Sequence, residues 1–354
     1  MPKGLYIHVP FCVSKCRYCD FYSVTDLSLA DGYTKAVLRN ISAIDENFDT
    51  IYFGGGTPSL LSAEQISQIL SAVKISPNAE ISMECNPNSV TENYLREIRS
   101  IGVNRLSFGV QSFCDTELKM LGRRHSSAEA ISVINSAHAV GFENISADLM
   151  LAVAGQSKES LSQSLDVLGN LPLTHVSAYM LKVEEGTPLA RDESLLAQLP
   201  DDDMTAEMYL FAAEKLETMG FEQYEISNFA REGFECRHNL KYWHCEEYYG
   251  IGSAAHSFVK GERYCCPKDI EKFISAELQE KVPLEKGGSE SEKAMLVLRL
   301  TKEGITENSL PETACQNAEV LVQKGLMKKE KDSFMLTPKG CLVSNQIIIF
   351  LGLC

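Results

Sequence analysis

Short apolar segments alternate with amphipathic segments through the first two thirds of the chain, and no other feature limits the fold as strongly. Apolar residues recur at helical spacing between the short segments. Strands that are separated by helices are typical of a parallel sheet buried on both faces. The pattern predicts an α/β protein with a partial, TIM-like (βα)6 barrel. Its six expected strands lie at residues 5–9, 50–53, 80–83, 105–110, 144–151 and 175–181.

The composition is that of an ordinary globular protein and disfavours several functions. Hydrophobic residues make up 44% of the 354 residues, and no apolar run approaches the roughly 20 residues that span a bilayer. The net charge of −15 disfavours broad contact with a phosphate backbone, so we expect no nucleic-acid partner. Twelve cysteines without an export signal predict a cytoplasmic protein with thiol or metal chemistry.

Three cysteines follow the first expected strand in the spacing C-x3-C-x2-C, as Cys12, Cys16 and Cys19. Disulfide pairing would leave one of them over, and a structural zinc site would want a fourth ligand. Buried cysteines that only pack are a further alternative. Closely spaced cysteines on one loop are typical ligands of an iron–sulfur cluster. Three ligands on a four-iron cluster would leave one iron open for a cofactor.

Polar and glycine residues stand where the other expected strands end. Residues 54–58, with the sequence GGGTP, follow the second strand, and Glu84 follows the third. Gln111 follows the fourth strand, and Asp148 lies in the fifth. Active sites of such barrels lie at the C-terminal ends of the strands. These residues are therefore expected to share one site with the cysteines.

The cysteine spacing and these strand-end residues together resemble the radical S-adenosylmethionine (SAM) superfamily. The resemblance implies a [4Fe–4S] cluster on the three cysteines, whose fourth iron binds SAM and whose electron cleaves it to a 5′-deoxyadenosyl radical. An arginine is the family's partner for the SAM carboxylate, and both Arg123 and its neighbour Arg124 are candidates for that position. Only the register of the alignment with the family distinguishes them. The residues that the resemblance implies as SAM contacts are Tyr6, Gly55, Gly56, Thr57, Glu84, Gln111, Arg123 and Asp148.

Over about residues 4–345 the chain resembles the oxygen-independent coproporphyrinogen III oxidase-like family, and within it the heme chaperones. The true oxidases carry a fourth cysteine, C-x3-C-x2-C-x-C, and a longer segment before it, whereas this chain has Phe21 at that position. Residues 238–243, HNLKYW, match the HNxxYW motif of the heme chaperones. Imidazole can ligate heme iron, and flat aromatic faces can contact a macrocycle. The alternative for His238 and Trp243 is a packed turn in which the histidine is satisfied by hydrogen bonds.

The resemblance implies a heme chaperone that binds heme and delivers it to heme-requiring acceptor proteins, such as respiratory enzymes of the membrane. Three alternatives stay open: a coproporphyrinogen III oxidase, a radical SAM enzyme with another substrate, and a module in which the cluster only holds the fold. Whether the chain is an enzyme is therefore undecided, and no catalytic residue is assigned. A homodimer linked by the cluster is a further open expectation.

The remaining features concern domain organisation. We expect a radical SAM barrel over 1–235, a connector over 236–285 and a winged-helix-like helical domain over 286–354, with 281–291 as a linker. A further strand is expected at 221–227, and residues 325–327 and 333–336 are expected to pair as a small hairpin. Residues 152–156, AVAGQ, depart from the Gly-Leu-Pro-Gly-Gln type of segment found in the family, which relaxes the expected turn. His256 is expected near the barrel mouth. A second metal site is a weaker alternative for Cys236, His238, His244 and Cys245.

Overall fold

Six parallel strands in sequential order form the centre of one twelve-stranded sheet in the computed structural model, which describes residues 2–353. Neighbouring strands pair in parallel throughout this series. This arrangement confirms the partial (βα)6 barrel. The strands are β1 (Lys3–Val9), β2 (Phe48–Gly55), β3 (Ile75–Cys85), β4 (Arg105–Gln111), β5 (Asn144–Leu151) and β6 (His175–Met180).

Amphipathic helices cover the outside of these strands, and most of them begin with a side-chain cap. The Thr91 hydroxyl accepts from the Tyr94 N–H, and two other helices begin with capping boxes at Ser62 and Ser126. Each helix buries one apolar face against the sheet. The helices are α1 (Ala30–Ser42), α2 (Ala63–Ala72), α3 (Glu92–Ser100), α4 (Asp115–Met120), α5 (Ser127–Ala139), α6 (Lys158–Gly169), α7 (Glu193–Leu196) and α8 (Asp202–Thr218).

Two parts of the sheet differ from the sequence prediction. The strand expected at 221–227 is instead an antiparallel hairpin of β7 (Glu222–Gln223) and β8 (Asn228–Ala230) beside β6. The connector region adds four strands on the other side of β1, of which the first pairs with β1 in parallel. Its elements are α9 (Arg237–Trp243), β9 (Tyr248–Ile251), β10 (His256–Val259), β11 (Glu262–Cys265), α10 (Ile270–Ser275) and β12 (Val282–Lys286). Residues 282–286 of the expected linker therefore form an edge strand, and its last two residues begin α11.

The C-terminal region combines helices with a three-stranded antiparallel sheet in the order β13-β15-β14. The expected hairpin is confirmed, because Met327 pairs with Leu336 and Glu330 with Ser333. No helix within residues 2–353 is both long and apolar enough to cross a membrane. The elements are α11 (Glu290–Val297), β13 (Ile305–Thr306), α12 (Glu312–Gln323), β14 (Met327–Glu330), β15 (Ser333–Leu336), α13 (Pro338–Leu342) and α14 (Ser344–Leu351).

Candidate functional site

The cysteine loop joins β1 to α1 at the C-terminal end of the parallel strands. Its two ends are tied together, since the Cys12 N–H donates to the Val24 carbonyl at 2.9 Å and the Val24 N–H donates to the Pro10 carbonyl at 2.7 Å. Cys12, Cys16 and Cys19 are all free thiols and half-buried. Burial raises the pKa of the Cys19 thiol. The loop therefore presents three thiols from one anchored segment.

The glycine segment after β2 holds the beginning of this loop through its backbone. The Gly56 N–H donates to the Val9 carbonyl at 2.9 Å, and the Thr57 N–H donates to the Phe11 carbonyl at 2.7 Å. A Cβ at Gly56 would lie 2.6 Å from the Phe11 carbonyl oxygen, so only glycine fits there. The Thr57 hydroxyl lies 3.7 Å from the Cys12 sulfur. The triple glycine thus sets how closely β2 approaches the cysteine loop.

A cavity of about 390 Å³ at the barrel mouth brings together ten of the predicted site residues. Arg123 lines this cavity, whereas Arg124 is exposed and lines only an adjoining cleft, which Arg123 also reaches. Tyr6 lies outside it, in a neighbouring cavity. The ten are Cys12, Cys16, Cys19, Gly55, Gly56, Thr57, Glu84, Gln111, Arg123 and Asp148. We call this space the cysteine cavity.

Two half-buried carboxyl groups, those of Glu84 and Asp148, line the cysteine cavity. Burial, and secondarily the charge of Asp148, raises the pKa of Glu84 to about 7. Burial also raises the pKa of Asp148. Glu84 accepts hydrogen bonds from the Tyr52 hydroxyl at 3.0 Å and the Gly55 N–H at 3.2 Å, and Asp148 accepts one from Ser107 at 3.1 Å. Such a pair favours ligands that bring a positive charge or hydroxyl donors.

Arg123 brings a guanidinium into the cysteine cavity, beside the exposed Lys15, and connects the cavity to the cysteine loop. Its Nη1 lies 3.4 Å from the Cys16 sulfur, and its Nη2 donates to the Asn86 side chain at 3.2 Å. Its Nε is buried and has no hydrogen-bond partner among residues 2–353. Gln111, at the end of β4, is held in the left-handed region with φ of 70°. Asn86, two positions after Glu84, was missed by the sequence reasoning although it stands in the same MECNP segment.

A second cavity of about 410 Å³ adjoins the first, and Phe21, Gly55 and Glu84 line both. Tyr6 lies here, where its hydroxyl lies 3.1 Å from Nδ1 of His8. Its other walls include Tyr22, Tyr242, Tyr248, His256 and Lys268. We call this space the aromatic cavity. Tyr248 was missed because its place in this wall depends on β9 pairing with β1, and Tyr22 was missed as well.

The HNLKYW motif forms α9, which closes the barrel near the starts of β1 and β2. The His238 ring is buried, and its two nitrogens lie 2.9 Å from the Thr50 hydroxyl and 2.8 Å from the Tyr242 hydroxyl. Burial lowers its pKa to about 3. Trp243 is half-buried beneath the Arg299 guanidinium and lines neither cavity. Only Tyr242 of this motif reaches the aromatic cavity.

The weaker alternative of a second metal site does not match the structure. Among residues 2–353, no three His, Cys, Asp or Glu side chains are close enough to hold a single metal ion. His244 pairs with Glu303 at 2.9 Å, and the buried Cys236 lies against Glu80. The cysteine and histidine side chains of residues 236–245 are close in sequence, but they point in different directions because they lie on different sides of α9.

The AVAGQ segment forms a fixed turn in spite of its departure from the family pattern. Ala152 adopts φ of 59° and Gly155 φ of 72°. Gln156 is buried, and its amide donates to Glu117 at 3.1 Å and to the Met150 carbonyl at 3.3 Å. The turn is thus held by side-chain hydrogen bonds where the family pattern would use glycine and proline.

The donor chemistry of the cysteine cavity fits an iron–sulfur cluster together with SAM. The three thiols lie around a space and not around a single ion, which suits a cluster with several irons. Glu84 and Asp148 suit an ammonium group and ribose hydroxyls, and the Arg123 guanidinium suits a carboxylate. The unpartnered Nε of Arg123 is one donor that remains for such a ligand.

Comparisons with known proteins identify the family of this chain. The sequence model of the radical SAM superfamily matches residues 6–168. Two proteins named heme chaperone HemW are similar along almost their whole length. The protein from Mycobacterium tuberculosis is 35% identical, covering 98% of this chain and 94% of the relative, and that from Bacillus subtilis is 33% identical, covering 99% of each.

Coproporphyrinogen III oxidase (HemN) from Escherichia coli, described as a radical SAM enzyme, has the same fold. Its structure matches 99% of this chain and 90% of its own with a TM-score of 0.83 at 20% identity. Radical SAM proteins carry a [4Fe–4S] cluster and SAM. The chain belongs to the HemW family of the radical SAM superfamily.

Proposed function

We propose that this protein is a radical SAM heme chaperone, which binds heme and transfers it to heme-requiring proteins. The observation that carries the proposal is the similarity over nearly the full length to several proteins named heme chaperone HemW. Phe21 supports it, because this exposed aromatic side chain stands where the family's oxidases carry a fourth cysteine. Respiratory enzymes of the membrane are the acceptors that we propose.

In this proposal Cys12, Cys16 and Cys19 hold the cluster. With SAM bound, the cluster would supply one-electron chemistry at the barrel mouth. The chain's own residues bind and orient SAM: Glu84 accepts from its ammonium group, Asp148 from ribose hydroxyls, and Arg123 pairs with its carboxylate. The backbone of Gly55 and Gly56 allows the ligand to approach closely, since glycine has no side chain, and Thr57 adds its hydroxyl to the cavity wall.

The remaining predicted contacts act around this centre. Gln111 lines the cysteine cavity as an amide donor and acceptor, and Tyr6 contributes its ring to the wall of the adjoining aromatic cavity. For heme, His238 and Trp243 stay predicted contacts. Ligation by His238 would require its ring to give up the hydrogen bond to Thr50 or to Tyr242.

The test is heme titration of the anaerobically reconstituted protein, followed by incubation of the loaded protein with a heme-free acceptor enzyme. We expect stoichiometric binding and recovery of acceptor activity that depends on the loaded protein. The same preparation should not convert coproporphyrinogen III when SAM and a reductant are present. Turnover of coproporphyrinogen III without heme transfer would show that the protein is an oxidase and not a heme chaperone.

A further inference from the structure

The aromatic cavity is a second ligand site whose occupant follows from its lining. Its volume of about 410 Å³ is in the range of cofactor sites, and it shares a wall with the cysteine cavity. The shared wall contains Phe21, whose side chain is 62% exposed. Tyr22, Tyr242 and Tyr248 add further aromatic surface. An open cavity with this much aromatic surface suits a flat, largely apolar ligand.

His256 differs from the other histidines that line or adjoin this cavity. Both ring nitrogens of His8 have partners, with Tyr6 at 3.1 Å and the Tyr22 carbonyl at 3.0 Å, and both of His238 are also bonded. The ring of His256 makes no hydrogen bond within residues 2–353 and is exposed at the beginning of β10. It is therefore the histidine that can ligate without breaking an existing contact.

The charges at the rim fit a ligand with carboxylate groups. Lys268 lines the cavity and is exposed, which leaves its ammonium group able to pair with a carboxylate. Asp20 is also at the rim and gives the site one opposing charge. Heme combines a flat macrocycle, a metal that takes imidazole and two propionates, so each feature of the cavity has a counterpart on this ligand.

We propose that the aromatic cavity holds heme, with His256 as the axial ligand of the iron and Lys268 as the partner of a propionate. The inference rests on the proposed function. It gives the HNLKYW motif a positioning role, because His238 hydrogen-bonds the Tyr242 hydroxyl and Tyr242 forms part of the wall of the aromatic cavity. Because Phe21 lines both cavities, heme would lie directly beside the cysteine cavity. Phe21 separates the two sites and offers its ring to the macrocycle.

Axial ligation requires a neutral imidazole. Burial, and secondarily the Lys268 ammonium, lowers the pKa of His256 below its usual value. The imidazole is therefore neutral at pH 7 and available to iron.

The experiment is heme titration of the reconstituted full-length protein, read in the visible difference spectrum against the heme-free sample. The variants are His256→Ala, Phe21→Ala, His238→Ala and His138→Ala. His138 is the matched control, because it lies on α5 outside the aromatic cavity. We expect His256→Ala to weaken binding by at least about tenfold and to shift the Soret band. Added imidazole should restore the wild-type spectrum, and His138→Ala should bind as wild type.

The outcomes separate this inference from the function on which it rests. Tight heme binding by wild type and by His256→Ala, with the same spectrum, would overturn the ligand assignment and leave the chaperone in place. Loss of the wild-type spectrum only in His238→Ala would move the ligand to α9. No heme binding by wild type would remove the proposed function itself. Weaker binding by Phe21→Ala with an unshifted Soret band would support the stacking role, since the axial ligand is retained.

Discussion

At the scale of single residues, the direction in which a side chain points decides which of two adjacent arginines, Arg123 or Arg124, enters the site. Arg123 and Arg124 have the same charge and the same number of donors. Arg123 lies against Cys16 and Asn86 inside the cysteine cavity, while Arg124 is exposed. The adjacent position therefore provides a matched control for the role of the buried guanidinium.

Arg123→Ala is expected to weaken SAM binding, and Arg124→Ala is expected to leave it unchanged. Loss of a charge-assisted hydrogen bond costs about 1.5–3 kcal/mol, or roughly 10- to 150-fold in affinity. Equilibrium binding of SAM to the reconstituted variants measures this, with iron per chain determined in each so that loss of the cluster is recognised. Equal binding by Arg123→Ala and wild type would rule out the proposed carboxylate contact.

Ionisation of Glu84 should make SAM binding depend on pH. Since the pKa of Glu84 is raised to about 7, the carboxylate forms as pH rises through 7 and is protonated below it. An ammonium ligand favours the ionised form, so affinity should fall as pH falls from 8 to 6, by about tenfold for each pH unit below the pKa. Glu84→Gln should flatten this profile.

Glu225 is the control for this measurement. Its pKa is likewise raised to about 7 by burial, but it lies beside the β7–β8 hairpin and outside the cysteine cavity. Glu225→Gln should therefore keep the wild-type pH profile of SAM affinity. A flat profile in the wild type would show that Glu84 does not meet the ammonium group.

At the scale of elements, the turn after β5 contains a residue that does not suit its backbone. Ala152 has φ of 59° where the family pattern has glycine, and its side chain is buried. A left-handed conformation costs a residue with a Cβ about 1–2 kcal/mol. A glycine avoids this strain, but part of the stabilisation is offset because glycine has more conformational freedom in the unfolded chain. The substitution thus leaves the fold intact but lowers its stability.

Ala152→Gly should stabilise the protein by about 0.5–1 kcal/mol, as the strain removed exceeds the entropy lost. Denaturant unfolding of heme-free protein measures the difference. Ala154→Gly, two residues later in the same buried turn, is the control and should destabilise, because Ala154 has no positive φ to relieve. A loss of stability in Ala152→Gly would mean that the packing of its methyl group outweighs the backbone strain.

The elements that sequence predicts are those whose signals are local. Strands β1 to β6 and their helices carry apolar periodicity and caps within their own segments, such as Thr91 before α3. Strands β9 to β12 are short, and β9 depends on pairing with residues about 240 positions earlier, as Gly4 with Tyr248. No local pattern specifies such a partner, so a region expected to connect two domains was not expected to extend the sheet.

The site residues also divide into those that local sequence signals predict and those whose position depends on distant pairing. Cys12, Glu84 and Asp148 stand at strand ends or in one loop, and the barrel brings all strand ends to one edge. The convergence of Tyr242, Tyr248 and His256 depends on how β9 and β10 are added to β1. The orientation of Arg123 depends on its contacts with Cys16 and Asn86. Spacing along the chain contains no information on that geometry.

At the scale of the whole molecule, the barrel and the C-terminal region share one apolar core. A single cluster of buried residues includes Leu216 of α8 and Leu351 of α14. Polar contacts also join the two parts: the Thr301 hydroxyl donates to the Gln223 carbonyl at 2.7 Å, and Lys302 pairs with Glu222 at 2.7 Å. Parts that share a core are expected to unfold together.

Trp243, the only tryptophan of the chain, lies on this boundary, where α9 meets Arg299 just after α11. We expect tryptophan fluorescence and far-ultraviolet circular dichroism of heme-free protein to give coincident denaturation curves, because loss of the boundary exposes the shared core. Arg299→Ala removes the guanidinium over the indole and should move both curves together to lower denaturant. A fluorescence change that precedes the loss of helix would instead show that the C-terminal region separates first, and heme transfer could then be accompanied by opening at α9.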